Sequence, residues 1–444
     1  MTRYLFISLA LVAVVCSWAQ TRTVVASSGA PSVVLAGNPP NIQNPTLNRL
    51  GFSSGNLGPG LEERWTAFQF FLSQTCTFNG IEVYWFDVTG AIPTQYGWVI
   101  YADNGSDAPG TVLFSGTGNI ADLTIGGRSW PHFGADKAAV FPTGTRTLPR
   151  GKYWATVYGV DGNIPMFVGA PGGATNNFAY RKTTVGSPYI QNETKSFCIP
   201  NYQGRMDGGW QQLGSGPPFN YSGWNANELP GRCLYRVAYV IADTTISNGS
   251  FVTGKLKLTQ WPDDPPFDYF SGGDGSNPMQ IDVHFCDPST GYPQIIETVS
   301  LASDGSFITD VVRDGTYDIK IYIRDWFIGR YVCGNFQQLN VSGFGHSFLG
   351  KVIPNVTVGG LLYDIGTVTL TNGDVNLDAA VSLSDLNRIL INFGASVNTT
   401  DGCATEPNWA NYYVNDDTNY DGDIALSDLN TVLLNFGATG PARW

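Results

Sequence analysis

Two short stretches near the C-terminus hold the densest chemistry in the sequence. The first places Asp374, Asn376, Asp378, Ala380, Ser382 and Asp385 at positions 1, 3, 5, 7, 9 and 12 of a twelve-residue loop. The second places Asp417, Asn419, Asp421, Asp423, Ala425 and Asp428 at the same positions. Alternating Asp and Asn on a tight loop point their oxygens inward. Position 7 offers a backbone carbonyl, and position 12 returns from the start of a helix. Calcium is a hard cation that takes six to eight oxygens at about 2.3–2.6 Å. An acid at position 12 also sits well at the positive end of the helix dipole. The spacing therefore predicts two calcium ions. Position 6 needs φ > 0, which favours glycine. The second loop has Gly422 there and the first has Ala379, so the first site is expected to be the weaker, strained by roughly 1 kcal/mol.

Each loop must be held in place by the segment on its C-terminal side. Val381–Ala395 reads VSLSDLNRILINFGA and Ile424–Ala438 reads IALSDLNTVLLNFGA, identical at ten of fifteen positions. This is an internal repeat. Leu386, Ile389, Leu390 and Phe393, with Leu429, Val432, Leu433 and Phe436, fall at i, i+3, i+4 and i+7, one face of a helix. That face is expected to close a small core about an approximate two-fold axis. Gly394 and Gly437 fit the helix-ending position. Val381 and Ile424, at position 8, are expected to pair the two loops through a short β contact.

The paired loops resemble a dockerin domain, the double calcium-loop module of cellulosome-type assemblies. Dockerin loops use Asp at position 12, as both do here, and lack the helix before each loop. The resemblance implies calcium-dependent folding and a cohesin-like or other extracellular protein partner bound through the helix faces. Positions 10 and 11, Leu383 and Ser384 with Leu426 and Ser427, would contribute, and Arg388, Asn387, Asn430 and Thr431 would be exposed beside them. The loops start 43 residues apart, at Asp374 and Asp417. That is longer than a compact dockerin, with Cys403 and Trp409 in the insert.

The rest of the 444-residue chain must carry this module. Charged residues make up 14%, against about 25% in an average soluble protein. With 53 Gly, 26 Pro and 13% aromatics, the composition is that of turn-rich extracellular β-sandwiches. A net charge of −12 argues against nucleic acid, whose binders need surplus Lys and Arg. Residues 1–19 read as a signal peptide, with Arg3, the apolar run Tyr4–Val15 and Ser17-Trp18-Ala19 before the cleavage point. No later stretch is long and apolar enough to span a bilayer, so a secreted or cell-surface location is expected.

From residue 20 to 243, short apolar-alternating runs are separated by turn signals. Thr66–Leu72, Gly80–Phe86, Gly97–Ala102, Gly151–Tyr158 and Leu234–Val240 read as strands, with a turn at Asp103-Asn104-Gly105. This stretch resembles the jelly-roll-like sandwiches of exported bacterial proteins. Residues 244–371 form a second β unit through Gly254–Leu258, Ser303–Phe307, Asp314–Ile323 and Asp364–Leu370. Its DGSF, GTYDIKI and DIGTVTL segments resemble the prealbumin-like sandwiches of carboxypeptidase regulatory-like domains. The expected fold is mainly β: two β-sandwiches, then the small helical EF-hand-like module of residues 372–444.

Six cysteines lie beyond the signal: Cys76, Cys198, Cys233, Cys286, Cys333 and Cys403. An even count in an exported chain suggests disulfides. Spacing suggests Cys198–Cys233 and Cys286–Cys333, with Cys76 and Cys403 free, but fifteen connectivities exist. His132, His284 and His346 are the only histidines, and no metalloprotease or phosphate-loop motif occurs. Glu62-Glu63 and Asp263-Asp264 read as solvated loop acids. The chain therefore reads as non-catalytic. A polysaccharide-binding or polysaccharide-degrading component is the alternative, with Trp85, Trp98, Trp130, Trp154 and Trp210 as candidate sugar platforms. A structural cell-surface protein is the third reading.

Overall fold

The structure is a computed structural model. It describes residues 22–29, 63–85, 93–105, 109–130, 134–167, 239–244, 248–259, 280–302, 304–323, 347–376, 378–395, 416–419 and 423–441. The short strands 34–36, 46–48, 51–56, 179–183, 211–212, 327–332 and 335–340 are also described. The protein is mainly β, with α-helices at Leu383–Asn392 and Leu426–Leu434. Among the described residues no helix is long and apolar enough to cross a membrane. The signal-peptide residues lie outside them.

In the first half, strand Gly151–Gly159 pairs antiparallel with Glu63–Leu72 on one side and Gln95–Asp103 on the other. The latter continues by a hairpin into Pro109–Asn119. The turn is the expected one: Gly105 has φ 83° and its N–H bonds Asp103 Oδ1 at 2.8 Å. A second layer pairs Cys76–Trp85 with Gly134–Leu148 and with Tyr239–Asp243, which in turn takes Thr23–Ser27. Period-two alternation sends Phe68, Phe70, Trp98, Ile100, Ala155 and Val157 inward from the first layer. They meet Ile81, Val83, Phe141, Tyr239 and Ile241 from the second. Tyr239 stacks on Phe68 with ring centroids 4.3 Å apart.

The second half repeats the two-layer plan. Strands Pro293–Ser300, Gln280–Cys286, Gly315–Ile323 and Lys351–Val358 form one antiparallel sheet. Gly249–Leu258 lies opposite it, parallel to Leu362–Leu370 and antiparallel to Ser306–Ile308. Both halves carry the same corner. Tyr153 donates its hydroxyl to Pro149 O at 2.9 Å, and Tyr317 donates to Arg313 O at 2.8 Å. This back-bonded tyrosine is a fixture of Greek-key sandwiches.

The two halves share more than a boundary. Val24, Tyr84, Ala138, Val240 and Ala242 pack into the core of the second sandwich. Gln294 donates to Val25 O at 2.7 Å and accepts from Ser73 N at 2.8 Å and from the Ser73 hydroxyl. Arg150 pairs with Asp287 at 2.6 Å. The buried Arg22 pairs with the buried Glu82 at 2.6 Å.

The cysteine pairing expected at Cys286 is not made. Cys286 is a free, buried thiol whose strand neighbours are Pro293 and Asp318. Burial pushes it up to about 12, with Lys320 opposing. Cys76 is also free, as read from the sequence. The other cysteines lie outside the described residues. His284 is buried in its strand, its ring 5.0 Å from that of Tyr322.

Candidate functional site

The first acidic loop is wound around its own carboxylates. Asp374 is buried; its Oδ1 accepts from Asp378 N and its Oδ2 from Ala379 N, each at 3.0 Å. Asn376 Oδ1 accepts from Asp378 N at 2.8 Å, and Asp378 Oδ1 accepts from Ala380 N at 3.0 Å. Asp385 reaches back from the helix start, accepting from Asn376 N at 3.1 Å and from Ser382 N at 2.8 Å. Such side-chain-to-backbone bonds are why Asp and Asn favour tight turns and helix starts. Ser382 caps the helix by accepting from Ser384 N.

Asp428 repeats the part of Asp385. Its Oδ1 accepts from Thr418 N at 2.7 Å and Thr418 Oγ1 at 3.1 Å, and its Oδ2 accepts from Ala425 N at 2.8 Å. Ala425 has no acceptor of its own, so the second helix has only this reverse bond at its start. Burial raises both the Asp385 and the Asp428 carboxyls above the usual carboxylate range, against the pull of these hydrogen bonds. Asp421 and Gly422 lie outside the described residues.

Among the described residues, no three His, Cys, Asp or Glu side chains lie together so as to hold a metal ion. The donor chemistry nonetheless fits calcium. The ligand positions of both loops carry carboxylate and amide oxygens, with a hydroxyl at Ser382 in the first, and no nitrogen or sulfur ligand of the kind zinc prefers. In the first loop Asp374, Asn376, Asp378, Ser382, Asp385 and the Ala380 carbonyl would supply them. In the second the candidates are Asp417, Asn419, Asp421, Asp423 and Asp428.

Ala379 has φ 70°, the left-handed conformation that position 6 requires and that costs a side chain about 1–2 kcal/mol. Ala379→Gly is therefore expected to tighten calcium at the first loop by about threefold or more, about 0.7 kcal/mol upward. Calorimetric titration checks it, and an unchanged first-site affinity would refute it.

The two repeats are joined by reciprocal strand-like bonds. Val381 N donates to Ala438 O and Gly437 N to Val381 O, both at 2.8 Å. Ile424 N donates to Ala395 O and Gly394 N to Ile424 O, again at 2.8 Å. The position-8 residues thus pair with the Gly-Ala end of the opposite repeat, not with each other as expected. Gly394 (φ 85°) and Gly437 (φ 86°) adopt the conformation that allows it.

The shared core consists of Leu349, Val375, Val381, Ile389, Ala395, Ile424 and Val432, flanked by Leu386 and Leu429. Leu390, Phe393, Leu433 and Phe436, expected inside, are about half exposed. The loop residues Val381 and Ile424, with Leu349 from the second sandwich, fill the space those side chains were to occupy. Each helix consequently buries one narrow side and presents an apolar stripe on the other. The stripes are Leu383, Leu390 and Ile391 on the first helix and Leu426, Leu433 and Leu434 on the second.

Ser384, Ser427, Asn387 and Asn430 are also exposed, but Thr431 is buried. Thr431 Oγ1 donates to Ser427 O within the helix. Arg388 is drawn into an ion pair with the buried Asp416 at 2.7 Å.

Of the candidate sugar platforms, Trp98 and Trp154 are buried. Trp154 Nε1 donates to Asp103 at 2.8 Å, and the Arg146 guanidinium lies 5.7 Å over Trp98. Neither offers an open face. The side chains of Trp85, Trp130, Trp210, Glu62, Glu63, Asp263 and Asp264 lie outside the described residues.

No known family matches the chain by its sequence profile, and no curated protein matches it. A chain of a mutant type II cohesin–X-dockerin complex from Acetivibrio cellulolyticus is 22% identical, over 43% of this chain and 98% of that one, with a TM-score of 0.29. A second mutant of the same complex gives 21% identity over the same shares, also at 0.29. The major pilin subunit of Bacillus cereus is 7% identical over 73% of this chain and 70% of that one, with a TM-score of 0.17. Likenesses at these TM-scores transfer neither fold nor function, and the reading of this chain rests on its own loops and helices.

Proposed function

We propose that this is a secreted or cell-surface, non-catalytic protein that joins an extracellular assembly through a dockerin-like, calcium-binding module at residues 372–444. A jelly-roll-like sandwich at 20–243 and a prealbumin-like spacer at 244–371 would carry that module. The observation that carries the reading is the repeat itself. Each acidic twelve-residue loop runs into a helix whose start is held by the position-12 Asp, and whose outer side is an unpaired apolar stripe. A cohesin-like protein partner fits a surface of that kind. Trp98 and Trp154, the two candidate sugar platforms whose side chains are described, are both buried.

Calcium titration of the full-length chain tests it. Two ions are expected, the second loop tighter than the first. Asp421→Ala should weaken binding more than Ser382→Ala, because position 5 coordinates directly while position 9 often works through water. A chain that takes up no calcium, or whose first site is the tighter, would sink the reading.

A further inference from the structure

Asn372 lies two residues ahead of Asp374, where the second sandwich gives way to the first acidic loop. It is fully buried. Its Oδ1 accepts from Ser347 Oγ at 2.6 Å and from Gly373 N at 2.7 Å. Its Nδ2 donates to Thr418 O at 2.8 Å, and its backbone N donates to Thr259 Oγ1 at 3.1 Å. Gly373 N and Asp374 N both donate to Ser347 O, at 2.7 and 2.9 Å.

The carbonyl that Nδ2 holds belongs to position 2 of the other loop. Thr418 N and Oγ1 in turn hold Asp428, that loop's position-12 carboxylate. An unbroken run of bonds therefore joins the first candidate ligand of one loop, Asp374, to the last candidate ligand of the other, Asp428. The twelve-residue loop pattern does not call for this asparagine.

We propose that Asn372 is a positioning residue that couples the two calcium loops to each other and anchors both to the second sandwich. The proposal rests on the calcium reading above. Closure of the first loop fixes Asp374, and with it Gly373 and the Asn372 carboxamide. Its Nδ2 bond then holds the Thr418 peptide, and so the Asp428 carboxylate, in one orientation. A second loop that is already oriented loses less freedom on binding. Coupling of this kind is reciprocal between the two sites. The Arg388 and Asn392 bonds to Asp416 form a separate crosspiece between the repeats, which changes at Asn372 leave in place.

The test is calorimetric titration of the full-length chain with calcium alone. Second-loop affinity is compared with the first loop intact and with it disabled by Asp378→Ala. With Asn372 present, Asp378→Ala is expected to lower second-loop affinity by about fivefold or more, the lower end of typical couplings. In Asn372→Ala that ratio should shrink clearly, the shared core and the Asp416 crosspiece keeping it above one. If the alanine variant does not fold, Asn372→Asp is read instead. It keeps the acceptor for Ser347 and Gly373 and loses the donor to Thr418. A purely structural asparagine would lower affinity equally in both backgrounds and leave the fivefold ratio intact, which overturns the proposal. Failure of the unmodified chain to take up calcium overturns the calcium reading instead.

Discussion

Chelating calcium from the full-length chain is expected to melt both C-terminal helices while the sandwiches stay folded. The helices span 10 and 9 residues, below the roughly 12–15 at which an isolated helix becomes even marginal. Among the described residues their common core has seven buried residues, one of them Leu349 borrowed from the second sandwich. Chelation would also remove the cation that Asp374, Asp378 and Asp385 in one loop, and Asp417, Asp423 and Asp428 in the other, are proposed to share. Hydrogen exchange resolves the outcome by segment. Amides of Leu383–Asn392 and Leu426–Leu434 should lose protection in chelator, whereas those of Gly315–Ile323 should not. Unchanged protection in both helices would show that the module folds without metal.

The calcium-free form should also respond to pH with a definite sign. Burial raises Asp385, Asp416 and Asp428, with Arg388 opposing it at Asp416. A carboxyl raised in the folded state binds its proton more tightly there than in the unfolded chain. Its contribution is fully present below the ordinary carboxylate value of about 4, and is lost as pH climbs through the raised values. The chelated module should therefore grow less stable from about pH 4 upward. In calcium the slope should reverse, because the ligands must be deprotonated to bind. Helix protection measured across that range, with and without chelator, checks both signs.

The strands were legible because their signal is local. Thr66–Leu72 and Asp314–Ile323 alternate apolar and polar residues between turn signals, and both form, as Glu63–Leu72 and Gly315–Ile323. Partner choice is not local. The Thr23–Ser27 strand pairs with Tyr239–Asp243, far along the chain, and no short window of sequence encodes that. The paired tyrosine corners had a usable signal, Gly-x-Tyr at Gly151–Tyr153 and Gly315–Tyr317. Their identical bonds to the residue four positions upstream emerge only in the fold.

At the candidate site, the two helices were legible from their period and do form, as Leu383–Asn392 and Leu426–Leu434. Which part of each apolar arc faces inward was not. Leu386, Ile389 and Leu390 are equally apolar, and the choice among them depends on Val381, Ile424 and Leu349, none of which belongs to a helix. Asn372 was invisible for a related reason. An Asn beside an acidic loop looks like more turn chemistry until its amide is seen on Thr418.

The exposed stripes lead to the second large effect, loss of the partner without loss of the fold. Leu383 is 58% exposed and Leu426 65% exposed. They occupy equivalent places at the two helix starts, on the side away from the buried Ile389 and Val432. Neither belongs to the shared core, so an Asp at either position leaves that packing untouched. The first turn of a helix also tolerates a negative charge well. The double variant Leu383→Asp plus Leu426→Asp should therefore keep its calcium-dependent helix protection. A partner seated on either stripe would have to bury a new carboxylate against apolar surface, and unpaired charge does not survive such burial without a large loss of affinity. Capture by an immobilised cohesin domain in calcium, with chelator as the control, should fall at least about a hundredfold, about 2.8 kcal/mol for the carboxylate buried on whichever helix is read. The single variants matter as much as the double. Because the two repeats make matching bonds, Val381 with Gly437 and Ala438 and Ile424 with Gly394 and Ala395, a partner that reads one helix is expected to read the other, and each single change should leave substantial binding. A single variant that abolishes capture would show that only one helix is used. A double variant that loses its calcium-dependent protection would place the two leucines in the core and remove the docking surface altogether.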